Sequence, residues 1–168
     1  MFSKVKTLDY RLLLAVDPAS TSGVALFNII TGELIDVITI KSEGKWGVRV
    51  NKITSEIKEY FAQYLPYVEY YTFEQNQKSS MILNGIGVAI SGCVPNAFVS
   101  DKVSGVAPTS WKAWWRRTTG LKDSSPKGVD ALAVISPEYA EMCDNSEDAS
   151  DAVMIGMYWL AERKGKLI

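Results

Sequence analysis

The sequence predicts an α/β protein: a five-stranded mixed β-sheet flanked by α-helices. Two observations lead to this class. Apolar β-forming runs at residues 12–16 and 23–27 lie on either side of a short stretch of turn formers, Pro18, Ser20, Thr21 and Ser22, as in a hairpin of two buried strands. Beyond a third β-rich run, helix-spaced segments alternate with short β-rich ones, in the order βββαβαβαα with room for one more helix. That order places parallel strands beside the initial antiparallel ones.

The third strand reads as ELIDVITIK, residues 33–41, with Thr31-Gly32 turning the chain before it. SEGKWG is a loop. Residues 49–64 then carry Val50, Ile53, Ile57, Tyr60 and Phe61 at helical spacing. VEYYTF, residues 68–73, is the fourth strand and runs into Glu74. Residues 79–92, SSMILNGIGVAISG, are apolar and small, which suits a closely packed helix. NAFV, residues 96–99, extended through Lys102-Val103, reads as the fifth strand. Pro108-Thr109-Ser110 opens a short helix that Gly120 ends, and Ser124-Ser125-Pro126 signals another with Pro126 as its first residue. Asn145-Ser146 starts a last helix reaching residue 163 or 164. No repeat, low-complexity tract or linker interrupts the chain, so residues 1–168 read as one domain.

Composition narrows the chemistry. With 47% hydrophobic residues the chain reads as an ordinary globule, and no apolar stretch approaches the roughly 20 residues of a membrane span. MFSKVKTLDYR lacks the apolar core of a signal peptide, so the expected location is cytoplasmic, with no membrane partner. Cys93 and Cys143 are the only cysteines and read as reduced structural residues. Histidine is absent, which removes histidine bases, Ser-His and Cys-His nucleophiles and histidine-ligated zinc. Chemistry here would rest on carboxylates, lysines and hydroxyls, a donor set suited to Mg²⁺ or Mn²⁺. Net charge is only −1, but it is unevenly spread. Residues 101–127 hold six basic side chains against two acids, and residues 128–151 hold seven acids and no base. Such a sequence suits a metal site beside a phosphate-binding face, or simply a solvated surface.

Several acids fall at element boundaries. Asp17 ends the first strand and Glu74 the fourth. Asp148 and Asp151 lie three apart and share one face of the last helix's first turn. Each has a bland reading: a turn aspartate bonding its own backbone, or acids complementing a helix dipole. The apolar sequence after them, AVMIGMYWLA, turns some of these acids toward the protein, where unpartnered charge costs several kcal/mol. Four carboxylates can hold two divalent ions about 3.5–4 Å apart for phosphoryl transfer.

On four motifs the chain resembles the RuvC-type Holliday junction resolvases of the ribonuclease H-like superfamily, and among them the phage or viral members. The motifs are VDPASTSGVALF; FEQN followed by the small-residue helix GIGVAISG; APTSWKAWWRRTTGLKDSSPKGVDAL; and EDASDAVMIGMY. They occur in family order over residues 12–162. The resemblance implies a ribonuclease H-like fold forming a single RuvC-like endonuclease domain, with Asp17, Glu74, Asp148 and Asp151 as the catalytic, metal-binding carboxylates. It implies two Mg²⁺ per site, replaceable by Mn²⁺, with Lys112 and Lys127 near the scissile phosphate and Lys127 counted with the catalytic set. Ala19 departs from the glycine usual after Asp-Pro, and WKAWWRR is bulkier and more basic than the family pattern.

The expected function is therefore a structure-selective endodeoxyribonuclease acting on four-way junctions or other branched DNA, in the host cytoplasm if viral. Lys78, Lys112, Arg116, Arg117 and Lys127 are the expected DNA contacts. The tryptophans of WKAWWRR read as core or dimer contacts before base-stacking platforms. Gly85, Gly87, Ala89 and Gly92 fit close packing within the monomer, whereas the resemblance implies a homodimer through this helix. A non-catalytic branched-DNA binder on the same fold and an RNA-processing relative remain the alternatives. A sugar kinase of the actin-like group shares an acidic hairpin turn but needs two such domains.

Overall fold

The computed structural model describes residues 10–75, 81–164 and 166. Strands β1 (Leu12–Asp17), β2 (Thr21–Asn28) and β3 (Leu34–Lys41) form an antiparallel meander. Then β1 pairs in parallel with β4 (Val68–Glu74), and β4 with β5 (Val103–Val106). The sheet order is β3-β2-β1-β4-β5, a five-stranded mixed sheet with β1 at its centre. This position accounts for the uninterrupted apolar run LLLAV, because a central strand covered on both faces has no solvent side to make polar.

Helices cover both faces. On one side α1 (Trp46–Tyr60), α2 (Met81–Ile90) and the short α3 (Pro95–Val99) pack Ile53, Ile57, Ile86, Ile90 and Ala97 against Leu12, Leu14 and Val16. On the other, α4 (Pro108–Thr119), α5 (Gly128–Ile135), α6 (Pro137–Met142) and α7 (Glu147–Arg163) pack against Leu13, Ala15, Ala25 and Phe27. Strand side chains alternate between faces, so Asp17, two beyond Ala15, faces the α7 side. On β4, Tyr71 and Phe73 belong to the first layer and Tyr70 to the second, which puts Glu74 on the α7 side as well.

The helix α7 lies very close to the hairpin. A Cβ added at Gly23 would stand 1.9 Å from the carbonyl oxygen of Asp148, and one at Gly156 would stand 2.2 Å from the Phe27 ring. Only glycine lets the first turn of α7 come down onto β2 beside the end of β1.

The sequence expectations hold for the first four strands and for the helices after Pro108 and Ser146, with three corrections. Residues 96–99 are not a strand. Pro95 occupies the first position of a helical turn, and its missing N–H and fixed φ outweigh the β-preference of Phe98 and Val99, so β5 starts only at Val103. Pro126 does not start a helix either. Asp123 Oδ1 accepts the Ser125 N–H at 2.9 Å in a local turn, and α5 begins at Gly128. The additional helix α6 carries the start signal read too early at Pro126: Pro137 is its first residue, and Ser136 Oγ caps it by accepting the Tyr139 N–H. Helix α1 also starts three residues before the expected position and ends four before it.

Gly23→Ala sets a methyl group against backbone, which cannot rotate away. It is expected to lower stability by about 1–3 kcal/mol, read as a lower urea midpoint at unchanged slope. A variant as stable as the parent would contradict the close approach of α7.

Candidate active site

Asp17 and Glu74 are the last residues of β1 and β4, and Val16 pairs with Phe73. The two acids therefore follow one another's strand ends on adjacent parallel strands, a spacing of about 4.8 Å. Asp17 is only 9% exposed. The third and fourth acids come from α7, whose start is fixed by Ser146 Oγ accepting the Ala149 N–H at 3.2 Å. Because Gly23 pairs with Asp17 and also touches the Asp148 backbone, the first turn of α7 is delivered to the strand ends. The structure thus gathers all four carboxylates named from the sequence.

Their electrostatics show how crowded the site is. Burial, joined by repulsion from Glu74, Asp151 and Asp148, pushes Asp17 from 3.8 to about 8. Burial raises Asp151 to about 7, with Glu74, Glu147 and Asp148 adding to the shift and Lys112 opposing it. Glu74 is raised by burial and held back by the Trp111 indole and Lys112. Asp148 is raised by burial and by Glu147, while its own backbone N–H pulls it down. Lys112 is the one cation facing both Glu74 and Asp151 among these causes.

Two further features bear on metal binding. Asp151 Oδ1 is buried without a hydrogen-bond partner among the described residues. A carboxylate oxygen left so is costly unless a cation completes it. It lies against Gly128, where an added Cβ would come within 1.9 Å. Among the described residues no three acidic side chains stand close enough together to ligate one ion, so the carboxylates would have to turn toward it. The donor set is all oxygen, as hard divalent cations require.

The flanking residues divide into two groups. Lys112, in the first turns of α4, donates to Ser125 Oγ at 3.2 Å and lies 5.3 Å from the Trp111 ring centre. Lys127 is exposed and precedes Gly128, so it stands at the rim beside Asp151. Arg116 and Arg117 are exposed in the last turn of α4, about 6–8 Å farther along its axis than Lys112. Lys78 falls outside the described residues. Of the tryptophans in WKAWWRR, Trp111 and Trp115 are buried and Trp114 packs edge-on against Tyr158, which makes the segment core. Trp46, at the start of α1, is instead the tryptophan left open to solvent, at 60%.

Sequence reasoning overlooked two residues here. Glu147 Oε1 accepts the Gly128 N–H at 3.2 Å and its charge raises Asp151. Its spacing of four from Asp151 was the available signal. Gly128 had none, since only tertiary contact shows that a side chain would strike Asp151.

Comparison with known proteins places this geometry. The structure of Thermus thermophilus RuvC in complex with a Holliday junction substrate aligns with a TM-score of 0.61 and 15% identity, covering 93% of this chain and 97% of that one. A second Thermus thermophilus RuvC structure aligns at 0.54 and 17% identity, covering 92% and 96%. The chain has the RuvC fold. No protein-family model and no curated protein sequence matches it. Within the RuvC fold, the four acids occupy strand ends and one helix start on a single face of the sheet.

The raised carboxyls give the folded chain a defined pH response. At Asp17 and Asp151 the folded and unfolded states bind the same protons well below pH 4; between pH 4 and 8 the folded state retains protons at these two acids that the unfolded state has released. Stability in EDTA is therefore expected to fall as pH rises from about 5 to 8.5. Asp17→Asn should flatten that decline and raise the melting temperature at pH 8. An unchanged pH profile in Asp17→Asn would show that Asp17 is not the buried acid responsible.

Proposed function

We propose that the protein is a metal-dependent endodeoxyribonuclease that hydrolyses phosphodiester bonds in four-way junctions or other branched DNA. The observation that carries the reading is the convergence of Asp17, Glu74, Asp148 and Asp151 on one buried corner, with an unpartnered oxygen of Asp151 inside it. The RuvC fold and the junction substrate held by one of its Thermus thermophilus neighbours support branched DNA as the substrate class.

The four carboxylates would hold two Mg²⁺, with Mn²⁺ as a substitute, and such ions supply water activation and charge neutralisation at a scissile phosphate. The chain's own residues supply the remainder. Asp17 and Glu74, set on a fully paired sheet, fix one side of the site, and the capped first turn of α7 fixes the other. Lys112, facing Glu74 and Asp151, and Lys127, exposed at the rim, would draw a strand's phosphate toward the acids and offset charge as it builds up. Arg116 and Arg117 would contact backbone phosphates farther from the cut. With no histidine in the chain, direct hydrolysis without a covalent enzyme intermediate is the chemistry that these residues support.

A homodimer fits the same reading. The outer face of α2 leaves Met81, Ile82 and Val88 more than half exposed, and Gly85 has no neighbour within 4 Å of an added Cβ. Gly87 does not belong to that face: Tyr71 Oη donates to its carbonyl at 2.6 Å, and a side chain there would strike Phe73. Light scattering at micromolar concentration is expected to give about twice the chain mass of 18.6 kDa. A monomer both free and on junction DNA would refute the dimer.

The deciding experiment incubates the chain with four-way, forked and linear duplex DNA, and with RNA counterparts, in Mg²⁺ or EDTA. Cleavage of branched DNA in Mg²⁺ alone is expected. Asp17→Asn should lower it by several orders of magnitude while junction binding persists. Binding without cleavage by the parent chain would make it a branched-DNA binder, and cleavage confined to RNA would make it an RNA-processing enzyme.

A further inference from the structure

We propose that Trp111 is a positioning residue that holds the Glu74 carboxylate in its metal-ligating orientation through the indole N–H. This rests on the carboxylate metal site proposed above.

The placement follows from the chain path. Glu74 is opposite Val106 at the end of the parallel β4–β5 pair, and α4 begins two residues later at Pro108. Trp111, in the first turns of α4, is therefore set over the end of β4 with its ring 1% exposed. Three tryptophans of this layer are buried, and their indole donors differ. Trp115 Nε1 donates to the Ala131 carbonyl at 3.0 Å, and Trp159 Nε1 donates to Ser104 Oγ at 3.2 Å. Trp111 Nε1 is buried with no hydrogen-bond partner among the described residues. For core packing alone phenylalanine would serve without that penalty.

The donor without a partner among the described residues stands beside the Glu74 carboxylate. It lies near enough to favour the charged carboxylate, yet outside hydrogen-bond geometry. A modest rotation of Glu74 completes the bond. A neutral donor suits this role: it restrains the carboxylate while leaving intact the negative charge that a cation needs, whereas a lysine there would compete with the cation. Lys112, the next residue, acts on Glu74 through its charge and gives its hydrogen bond to Ser125 Oγ.

The test is calorimetric titration of the full chain with Mn²⁺, beside melting in EDTA, for the parent, Trp111→Phe, Trp115→Phe and a chain with benzothienylalanine at Trp111. That analogue keeps the ring's shape and removes the donor. Both Trp111 replacements are expected to weaken Mn²⁺ binding by about ten- to hundred-fold. Trp115→Phe, which loses a structural hydrogen bond, should lower the melting temperature and leave Mn²⁺ affinity as in the parent. Parent-like affinity in the benzothienylalanine chain would overturn the proposal, whatever the fate of Trp111→Phe. A parent chain that binds no Mn²⁺ would overturn the metal-site reading itself, and this inference with it.

Discussion

The arrangement depends on one backbone contact, that of α7 against β2 at Gly23. Strand pairing alone brings Asp17 and Glu74 together, since β1 and β4 are neighbours with matched ends. It does nothing for Asp148 and Asp151, which lie more than 70 residues later on a helix that must come down onto the sheet. The Gly23–Asp148 contact sets the height of that helix, and Gly156 against Phe27 keeps it low two turns on. A side chain at either glycine would lift α7 and move Asp148 and Asp151 away from the strand-end acids.

Closeness of this kind opposes stability. Four acids that burial pushes upward, with repulsion between them adding at Asp17 and Asp151, are a liability to the metal-free fold at neutral pH. The compensation comes from the apolar layers on both faces of β1, where residues 12–16 are fully buried, and from the ion pairs of Glu69 with Arg11 and Lys102 at the opposite end of the sheet. Those pairs hold Glu69 down to about 2, the reverse of what happens at the other end of the same strand. One strand, β4, thus carries a satisfied acid where it begins and a frustrated one where it finishes. Frustration confined to one corner of an otherwise consistent fold is the usual mark of a functional site.

What could be read in the sequence follows from where each signal originates. The hairpin, β3 and β4 were legible because apolar β-forming runs and turn residues are local properties, and α7 because Ser146 caps it in a recognisable way. The acids were legible because they stand at element ends. Phe98 and Val99 misled because their β-preference was weaker than the proline three residues before Phe98. Ser125-Pro126 misled because Asp123 folds that stretch into a turn. Trp111 and Gly128 act through residues more than 15 positions away, and no local pattern reports such contacts; Glu147, four residues before Asp151, was locally legible and was overlooked.

The uneven charge of the second half acquires a physical meaning in three dimensions. The basic segment supplies α4 and the approach to α5, the acidic segment supplies α7, and the two meet edge to edge at the strand ends. Had the basic segment neutralised the acids, Asp151 would have a partner for its buried oxygen and the carboxyls would not be raised. Instead Lys112, among the described residues, faces Glu74 and Asp151, while Lys127 is exposed and Arg116 and Arg117 lie farther along α4. Among the described residues the acids outnumber the cations that face them, with the exposed basic residues at the rim. A pattern of that kind would suit a polyanion at the edge and a small cation at the centre, which is why the reading proposed above pairs the two.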